Sequence, residues 1–463
     1  MIGSRYRMLE GKMQLPIDFE NRMKEMLGEE YEAFIKSYDD ERAYGLRFNP
    51  LKIDRESFEK NVPSILDRVK WAEEGYYYDA SMQPGKAPLH EAGAYYIQEP
   101  SAMSAAELLE VEPGEFVCDL CAAPGGKSTQ IAGKLMGEGL LVTNEFYGSR
   151  AKILSQNIER MGVRNAVVLN EGTDVIADRF PEFFDKVMVD APCSGEGMFR
   201  KDEVAINEWS LPQVLVCAER QAMILDNAAK IVKPGGAMVY STCTFSIEEN
   251  ENIVKEFLER NKDFIIAKPS IHKKLVEAGF DEKDGMYRLW PHKLKGEGHF
   301  AVRFVKQSID EEEEISYKRK PVENLAKKAD LKYYEEFATA SLMVKPEGQF
   351  IMFGDSIYLL PEGMISIKGL KVERAGLKLG TNKKNRFEPD HAFALALKPE
   401  EVKQVVNTSS NDANDIEKYI RGEVIECEFD SGWTLVAVDG VSIGWGKASG
   451  GSLKNHYPKG LRR

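Results

Sequence analysis

The chain has 463 residues, enough for about three domains. Hydrophobic residues make up 43% and charged residues 30%, as in ordinary soluble proteins, and no window approaches the roughly 20 apolar residues that a membrane span needs. The net charge of -13 argues against a general polyanion binder. Because Met1 to Arg7 lead into no signal-peptide core, we expect a cytoplasmic protein with no membrane partner.

Six cysteines in so long a chain do not make a disulfide framework, so reduced thiols are expected. Cys118 and Cys121 have the spacing of a redox or metal pair. No second pair or histidine cluster lies nearby, and Cys118 belongs to a predicted strand. We therefore predict structural roles for this pair and no metal site.

The pattern of the first two thirds of the chain predicts two domains. Residues 1–90 mix helical periodicity with a strand-like segment from Tyr44 to Lys52, which predicts an N-terminal α+β domain. Residues 91–306 alternate strands and helices, which predicts an α/β domain with a mainly parallel sheet and helices on both faces. The predicted strands are 116–119, 139–145, 166–170, 186–190 and 237–241.

The last third begins with a charged connector, residues 307–320, in which the acidic run Asp310–Glu314 precedes three basic residues. Residues 321–395 and 396–463 carry short apolar segments punctuated by glycine and aspartate, which predict small β-rich modules. Between Lys368 and Arg386 there are seven basic residues and one acidic residue. This segment is either a solvated face or a patch that contacts phosphates, with Lys383, Lys384 and Arg386 as its candidates.

A glycine-rich turn joins the strand at 116–119 to a helix that starts near Lys127. Its glycines allow close approach of a ligand, and the helix start offers N–H groups to a phosphate or to the carboxylate of S-adenosylmethionine. A phosphate-binding loop would need glycine where Cys121 stands, and the dinucleotide fingerprint is absent. S-adenosylmethionine is therefore the favoured cofactor. The candidate binding residues are Cys121, Ala122, Ala123, Pro124, Gly125, Gly126 and Lys127.

Acidic residues follow the next two predicted strands. Glu145 ends a strand about 20 residues after the glycines, where a carboxylate can accept hydrogen bonds from ribose hydroxyls. Glu171 and Asp174 follow the third strand and compete for the adenine side of the pocket. The sequence does not choose between them, and either can instead cap the following turn.

Two cysteines follow apolar runs that predict buried strands: Cys193 lies three residues after Asp190, and Cys243 lies in Thr242-Cys-Thr244. If the two strands are neighbours, both thiols emerge at the edge of the sheet where ligands bind. A thiolate that adds to carbon 6 of cytosine activates carbon 5 toward a methyl sulfonium. Asp190 can protonate the ring nitrogen provided that its pKa is raised. The alternative is that each cysteine is a small buried hydrophobe.

These motifs resemble the RNA cytosine-5 methyltransferases of the Sun type, and within them the RsmF-like enzymes that act on small-subunit ribosomal RNA. The resemblance spans nearly the whole chain. The segments that carry it are Cys121–Lys127, Asp190–Gly195, Thr242–Thr244, Leu46–Lys52, Tyr95–Ser101 and Gly444–Ser449.

The resemblance implies a Rossmann-like catalytic domain, an RNA-binding N-terminal domain and a PUA-like C-terminal domain. It assigns Cys243 as nucleophile, Cys193 to product release and Asp190 to the cytosine edge. It also implies a monomer that binds 16S ribosomal RNA or the small subunit and not DNA. In the family an Asp-Gly usually stands where this chain has Glu171-Gly172. Lys201 is either near the substrate or an ordinary surface lysine.

Several alternatives remain open. A tRNA cytosine-5 methyltransferase shares these motifs, and a catalytically silent ribosome assembly factor shares the fold. A DNA cytosine methyltransferase would use Cys193 as the nucleophile and leave Cys243 a bystander. An amino-group methyltransferase would need Asn- or Asp-Pro-Pro-Tyr at the strand end, which is absent after Val189.

Overall fold

The computed structural model describes residues 14–62, 64–308, 317–410 and 413–463. The N-terminal residues Met1 to Arg7 and the acidic run Asp310–Glu314, on which two of the predictions depend, lie outside the described residues. Across the described ranges, no helix has both the length and the apolar character needed to cross a bilayer.

The N-terminal unit consists of two helices followed by a small antiparallel sheet. Its elements are α1 (Ile17–Leu27), α2 (Tyr31–Lys36), β1 (Gly45–Phe48), α3 (Arg55–Asn61), β2 (Ile65–Arg68), β3 (Gly75–Tyr78), α4 (Pro88–Glu91) and β4 (Tyr95–Ile97). The strand order is β2-β3-β1-β4. Because Leu46 pairs with Ile97, this sheet continues past residue 90, where the predicted domain ends.

The central domain carries the longest strands. Its elements are α5 (Ser104–Leu109), β5 (Phe116–Asp119), α6 (Gly126–Leu135), β6 (Leu140–Asn144), α7 (Gly148–Arg160), β7 (Ala166–Leu169), α8 (Thr173–Arg179), β8 (Phe184–Asp190), α9 (Glu203–Glu208), α10 (Leu211–Ile231), β9 (Val232–Thr242), α11 (Glu251–Arg260), β10 (Phe264–Ile266), α12 (His272–Glu277), β11 (Asp281–Lys283), β12 (Met286–Leu289) and β13 (His299–Lys306).

The middle of this sheet has the order β13-β9-β8-β5-β6-β7, with β9 to β7 parallel and β13 antiparallel to β9. Neighbouring residues of a strand point to opposite faces. Accordingly Val187 and Val189 pack in one apolar cluster and Met188 in another. Both faces are therefore covered by helices and buried, which explains the uninterrupted apolar runs in the sequence and confirms the predicted α/β class.

The C-terminal third forms two β-rich modules. Its elements are α13 (Lys332–Ser341), β14 (Phe350–Phe353), β15 (Ser356–Leu359), β16 (Val372–Ala375), β17 (Leu377–Lys383), β18 (Arg386–Pro389), α14 (His391–Ala396), β19 (Val405–Thr408), α15 (Ala413–Arg421), β20 (Ile425–Glu426), β21 (Ser431–Val438), β22 (Val441–Ser449) and β23 (Ser452–Asn455). One module has the sheet β14-β15-β17-β18, and the other has β19-β21-β22-β23-β20.

The modules pack closely on the rest of the chain. β16 pairs antiparallel with β7 and extends the central sheet, although it lies within the predicted separate module 321–395. The last sheet and the N-terminal sheet share one apolar cluster, in which Leu46 and Phe48 pack with Ile443 and Leu453. The C-terminal residues are thus part of the framework that surrounds the central domain.

The basic segment between Lys368 and Arg386 is divided between several environments. Arg374 lies on β16, is buried, and pairs with Glu159 at 3.2 Å. Lys378 pairs with Asp390 at 2.8 Å. Three candidate RNA contacts remain exposed at and beside the turn between β17 and β18, namely Lys383, Lys384 and Arg386. The segment is therefore not a single charged face.

Candidate active site at the carboxyl edge of the central sheet

The two candidate catalytic cysteines lie side by side. β8 and β9 are parallel neighbours, with Asp190 opposite Ser241. The loops that follow bring Cys193 Sγ and Cys243 Sγ to 3.1 Å from each other. Both side chains are partly exposed. The two sulfurs therefore lie together at the carboxyl edge of the sheet, where ligands of such folds bind.

Hydrogen bonds between the two loops fix this approach. The Gly197 N–H donates to the Cys243 carbonyl at 2.8 Å. Ser194 Oγ and Thr244 Oγ1, which directly follow the two cysteines, are 2.8 Å apart. One backbone and one side-chain hydrogen bond therefore join the two loops next to the cysteines and hold the two sulfurs close together.

Two buried glutamates lie behind the loops. Glu249 accepts hydrogen bonds from the Ser194 N–H at 2.8 Å and from Gln221 Nε2 at 2.9 Å. Glu196 accepts from the Phe245 N–H at 2.8 Å and from Ser246 Oγ at 2.9 Å. Burial raises the pKa of Glu249. These carboxylates satisfy backbone and hydroxyl donors that the irregular loops would otherwise leave buried and unpaired.

The N-terminal helices cover the outer side of these loops. Phe34 of α2 packs edge-on against Phe245, with ring centroids 5.6 Å apart, and Phe19 of α1 packs against Phe199 at 5.0 Å. The aromatic cluster therefore joins the N-terminal unit to both cysteine loops.

Cys193 is held as a thiol. Its hydrogen bond with Cys243 raises its pKa, and burial raises the pKa further. A protonated Cys193 can donate to the neighbouring sulfur.

Asp190 is a carboxylate in a polar enclosure. Its Oδ2 lies 2.8 Å from Lys127 Nζ, and its Oδ1 accepts from Ser241 Oγ at 2.8 Å. Burial acts to raise the pKa of Asp190, but the Lys127 ammonium and the Ser241 hydroxyl outweigh it and hold the pKa below its ordinary value. This corrects the sequence-based expectation: the raised pKa that proton donation by Asp190 requires is not present, and the side chain acts as a hydrogen-bond acceptor.

His299, on β13, completes the enclosure. Its Nε2 is 3.7 Å from Asp190 Oδ1 and has no hydrogen-bond partner among the described residues. Burial and the nearby Lys127 lower the pKa of His299 to about 3, so the imidazole is neutral. It therefore lies beside Asp190 without supplying a second positive charge at neutral pH.

The glycine-rich turn has the features of an anion-binding helix start. Gly125 has φ +117°, a conformation that favours glycine. Arg150 donates to the Ala123 carbonyl at 2.8 Å and Asn157 to the Pro124 carbonyl at 2.9 Å, which fixes the turn. Within the described residues, the N–H groups of residues 126–128 donate to no acceptor. These open donors at the first turn of α6 fit a carboxylate.

The predicted acids on the cofactor side differ in exposure. Glu145 is buried and accepts from the Tyr147 N–H at 2.9 Å, with Arg150 3.4 Å from its other oxygen. Glu171 is buried and accepts from the Lys371 N–H at 2.6 Å. Asp174 is exposed in the first turn of α8. Of the two competing acids, Glu171 is the one enclosed by the fold, and the residue before β16 helps to enclose it.

Comparisons with known proteins identify the family. The chain matches the family model for the 16S rRNA methyltransferase RsmB/F over residues 106–305, and the RsmF N-terminal domain over 15–100. It also matches the RsmF first C-terminal domain over 333–397 and the RsmF PUA domain over 406–463. It is 32% identical to Ribosomal RNA small subunit methyltransferase F of Vibrio vulnificus strain YJ016, with 98% of this chain and 99% of that protein covered. The chain belongs to the RsmF branch of this family.

Other RsmF relatives and solved structures agree with this assignment. The Shewanella piezotolerans protein of the same name is 34% identical, with 90% of each chain covered. The crystal structure of a methyltransferase homologue from Pyrococcus horikoshii is 26% identical, with a TM-score of 0.56 over 64% of this chain and 96% of that one. Membership of this family makes the protein an S-adenosylmethionine-dependent methyltransferase with a PUA-like C-terminal domain, as the family resemblance implied.

Several residues of the site were not predicted. Ser241, Glu249 and His299 surround the cysteines and Asp190 but carry no motif of their own. Asp119, at the end of β5, is buried, accepts from Ser128 Oγ at 2.6 Å, and has its pKa raised to about 7 by burial. The position of Asp119 and Ser241 at the ends of predicted strands is a signal by which the sequence could have indicated them. The antiparallel pairing that brings His299 to the site is invisible in the sequence.

Other predicted residues lie apart from this enclosure. Lys201 is exposed, whereas the side chain of its neighbour Arg200 is only 7% exposed and pairs with Glu297 at 2.7 Å. Cys118 is fully buried in β5, and burial raises the pKa of Cys121 well above its ordinary value. In the part of the chain that the structure describes, no three histidine, cysteine or acidic side chains are grouped to hold a metal ion.

Proposed function

We propose that this RsmF-family protein transfers a methyl group from S-adenosylmethionine to carbon 5 of a cytosine in 16S ribosomal RNA. The reaction proceeds through a covalent bond between Cys243 and carbon 6 of the base. The observation that carries the proposal is the 3.1 Å approach of Cys193 and Cys243 next to the Asp190 carboxylate. An amino-group methyltransferase needs no thiol at this position.

On the cofactor side, the open N–H groups at the start of α6 suit the methionine carboxylate, and Glu145 suits the ribose hydroxyls. Glu171, enclosed beside β16, is the acid we assign to the adenine side in preference to Asp174. The remaining residues from Cys121 to Lys127 shape the turn. The bound sulfonium supplies an electrophilic methyl group, and the protein supplies everything that makes cytosine a nucleophile.

On the base side, Cys243 Sγ bonds to carbon 6 and loses its proton, and the ring gains negative charge around its nitrogen edge. Asp190 accepts a hydrogen bond from the amino group of the cytosine. Lys127, 2.8 Å from Asp190, keeps positive charge beside that edge while the negative charge develops. Carbon 5 then takes the methyl group and still carries its hydrogen.

Release requires that carbon 5 lose this hydrogen as a proton, which solvent accepts. The C–H electrons restore the double bond between carbons 5 and 6 and expel Cys243 as a thiolate. Because Cys193 is held protonated, it donates to the departing sulfur and favours its departure. Loss of Cys193 would therefore leave the adduct in place.

The target base must leave its stack to reach a pocket between two loops. The PUA-like module, the N-terminal unit and the exposed residues Lys383, Lys384 and Arg386 are the proposed RNA contacts, and Lys201 is a further exposed candidate. A cytoplasmic monomer that acts on 16S ribosomal RNA or the small subunit is part of the same proposal.

The test uses 16S ribosomal RNA and small subunits from a deletion strain, incubated with S-adenosylmethionine and each of three variants. We expect Cys243→Ala to abolish both methyl transfer and covalent RNA adducts. We expect Cys193→Ala to accumulate an adduct that survives a denaturing gel. Cys217→Ala, which changes a buried thiol on α10, is the matched control and should remain active.

The opposite result, with an active Cys243→Ala and an inert Cys193→Ala, would show that Cys193 is the nucleophile. Bisulfite sequencing of the ribosomal RNA locates the modified cytosine. Modification of tRNA instead of 16S ribosomal RNA would keep the chemistry and change the substrate. Binding to RNA with no methyl transfer to any RNA would support a silent assembly factor.

A further inference from the structure

The sulfur pair has a property that is independent of methyl transfer. A disulfide bond is about 2.05 Å long, so sulfurs 3.1 Å apart need to approach by only about 1 Å. The bonds from Ser194 to Thr244 and from Gly197 to Cys243 hold the two loops together on either side of the sulfurs. Both cysteines are partly exposed, so a small oxidant can reach them.

This arrangement is specific to the two cysteines. Among the described residues, no other two sulfur atoms lie within hydrogen-bonding distance of each other. The other four cysteines are free, and of these Cys118 is fully buried in the central sheet. The Cys427 thiol donates a hydrogen bond to the Phe429 carbonyl at 3.6 Å. Among the described residues, Cys193 and Cys243 are therefore the pair of thiols already placed to form a disulfide when an oxidant is present.

We propose that Cys193 and Cys243 form a reversible disulfide when the protein meets hydrogen peroxide, and that Cys193 thereby protects Cys243 from irreversible oxidation. This gives Cys193 a role beyond release of the methylated base. It does not depend on which base or which RNA the enzyme modifies.

The chemistry takes two steps. The Cys243 thiolate attacks peroxide, which forms a sulfur–oxygen bond, breaks the oxygen–oxygen bond and releases hydroxide, giving a sulfenic acid. Cys193 then attacks this sulfur, the sulfur–sulfur bond forms, and the sulfenic oxygen leaves as water with the Cys193 proton. Two thiols are oxidised by two electrons, and peroxide is reduced to water.

The environment of Cys193 agrees with this order of events. Its hydrogen bond to Cys243 and its burial raise its pKa, which disfavours the thiolate form that attacks peroxide in the first step. Because the Cys193 sulfur already lies 3.1 Å from the Cys243 sulfur, it is placed to attack the sulfenic acid once that has formed on Cys243. Without Cys193, no thiol among the described residues lies within hydrogen-bonding distance of Cys243, and its sulfenic acid is open to further oxidation.

The experiment treats the full-length protein, without RNA, with hydrogen peroxide and measures its intact mass and its peptides. For the unaltered chain we expect a loss of about 2 Da, a linked peptide pair containing residues 193 and 243, and full recovery with dithiothreitol. For Cys193→Ser we expect a gain of about 32 Da on the peptide of Cys243, which marks a sulfinic acid and is not recovered by dithiothreitol.

Cys427→Ser is the control and should behave as the unaltered chain does. Cys243→Ser should lose the linked peptide without gaining mass at position 193. The proposal is overturned if peroxide produces no 193–243 link, or if the unaltered chain and Cys193→Ser are oxidised irreversibly to the same extent. Since the readout is mass, this result stands whether or not the chain methylates cytosine.

Discussion

The loops after β8 and β9 and the basic segment from Lys368 to Arg386 differ in how their polar side chains are partnered. In the loops, buried carboxylates such as Glu196 and Glu249 accept two or more hydrogen bonds each and hold the cysteines in one arrangement. In the basic segment, Arg374 and Lys378 are taken up by ion pairs, and the other cations are exposed. The polar side chains of the loops are therefore partnered around one site. The cations of the basic segment, by contrast, are divided among separate environments.

The largest expected effect is at the catalytic edge. Asp190→Asn removes the carboxylate that pairs with Lys127, and we expect kcat/KM for methyl transfer to fall by about 1000-fold. Ser241→Ala, which removes only one hydrogen bond to Asp190, should lose about tenfold. Rates on 16S ribosomal RNA measure both. Equal losses in the two variants would mean that the carboxylate has no special role.

The buried half of the basic segment should act on stability. Arg374→Met leaves Glu159 without its partner, and because Glu159 is partly exposed we expect the free energy of unfolding to fall by about 2 kcal/mol. Urea unfolding measures this. Arg386→Ala, at an exposed position of the same segment, should change it by less than about 0.5 kcal/mol. If the two variants unfold alike, Arg374 is not an anchor of the sheet edge.

A pH effect distinguishes the buried acid Asp119 from exposed acids. Its pKa is about 7 in the native state, against about 3.9 when unfolded. Below pH 4 both states bind the proton, whereas between pH 4 and 7 only the native state keeps it. Stability from this group therefore falls as the pH rises through that window and stays low above it.

We expect Asp119→Asn to remove up to about 1.4 kcal/mol per pH unit from the slope of stability between pH 4 and 7. Urea unfolding at a series of pH values measures the slope. Asp174→Asn, which changes an exposed carboxylate, is the control and should leave the slope unaltered. A slope for Asp119→Asn that matches the unaltered chain would contradict the raised pKa.

The smallest expected effect is at the exposed hairpin. The double variant Lys383→Ala, Lys384→Ala should bind 16S ribosomal RNA more weakly and lower the log–log salt slope of binding by about 1.5. The control is the double variant of the consecutive exposed lysines Lys273 and Lys274 on α12, which removes the same charge. An identical slope change in both variants would show that net charge, and not this hairpin, determines RNA affinity.

Much of the central fold follows from the sequence because parallel strands buried on both faces must be apolar throughout. The runs before Asp190 and before Cys243 each give a strand, and their adjacency brings the two sulfurs together. The C-terminal strands β14, β15 and β21 lie within the stretches 321–395 and 396–463, whose short apolar segments predicted β-rich modules. The placement of β16 was not predicted, since nothing in a short segment specifies a partner strand some 200 residues away.

The positions of the candidate site residues follow from the sequence where they depend on strand ends, but not where they depend on tertiary pairing. The turn at Gly125 and the acid Glu145 follow strands directly and are found at the expected edge. His299 reaches Asp190 only because β13 pairs antiparallel with β9. The protonation state of Asp190 was also beyond the sequence, because it depends on which cations the fold brings within about 4 Å.

The strand that the C-terminal module adds to the central sheet has a consequence for dissecting the protein. A fragment that ended near residue 306 would leave β7 as an open edge, whose unpaired N–H and C=O groups invite association with other chains. The same cut would remove Lys371, whose N–H donates a hydrogen bond to Glu171. Glu171, the acid that we assign to the adenine side, would then lose this partner. The C-terminal modules are therefore not detachable from the central domain, and truncation would damage the domain it was meant to isolate.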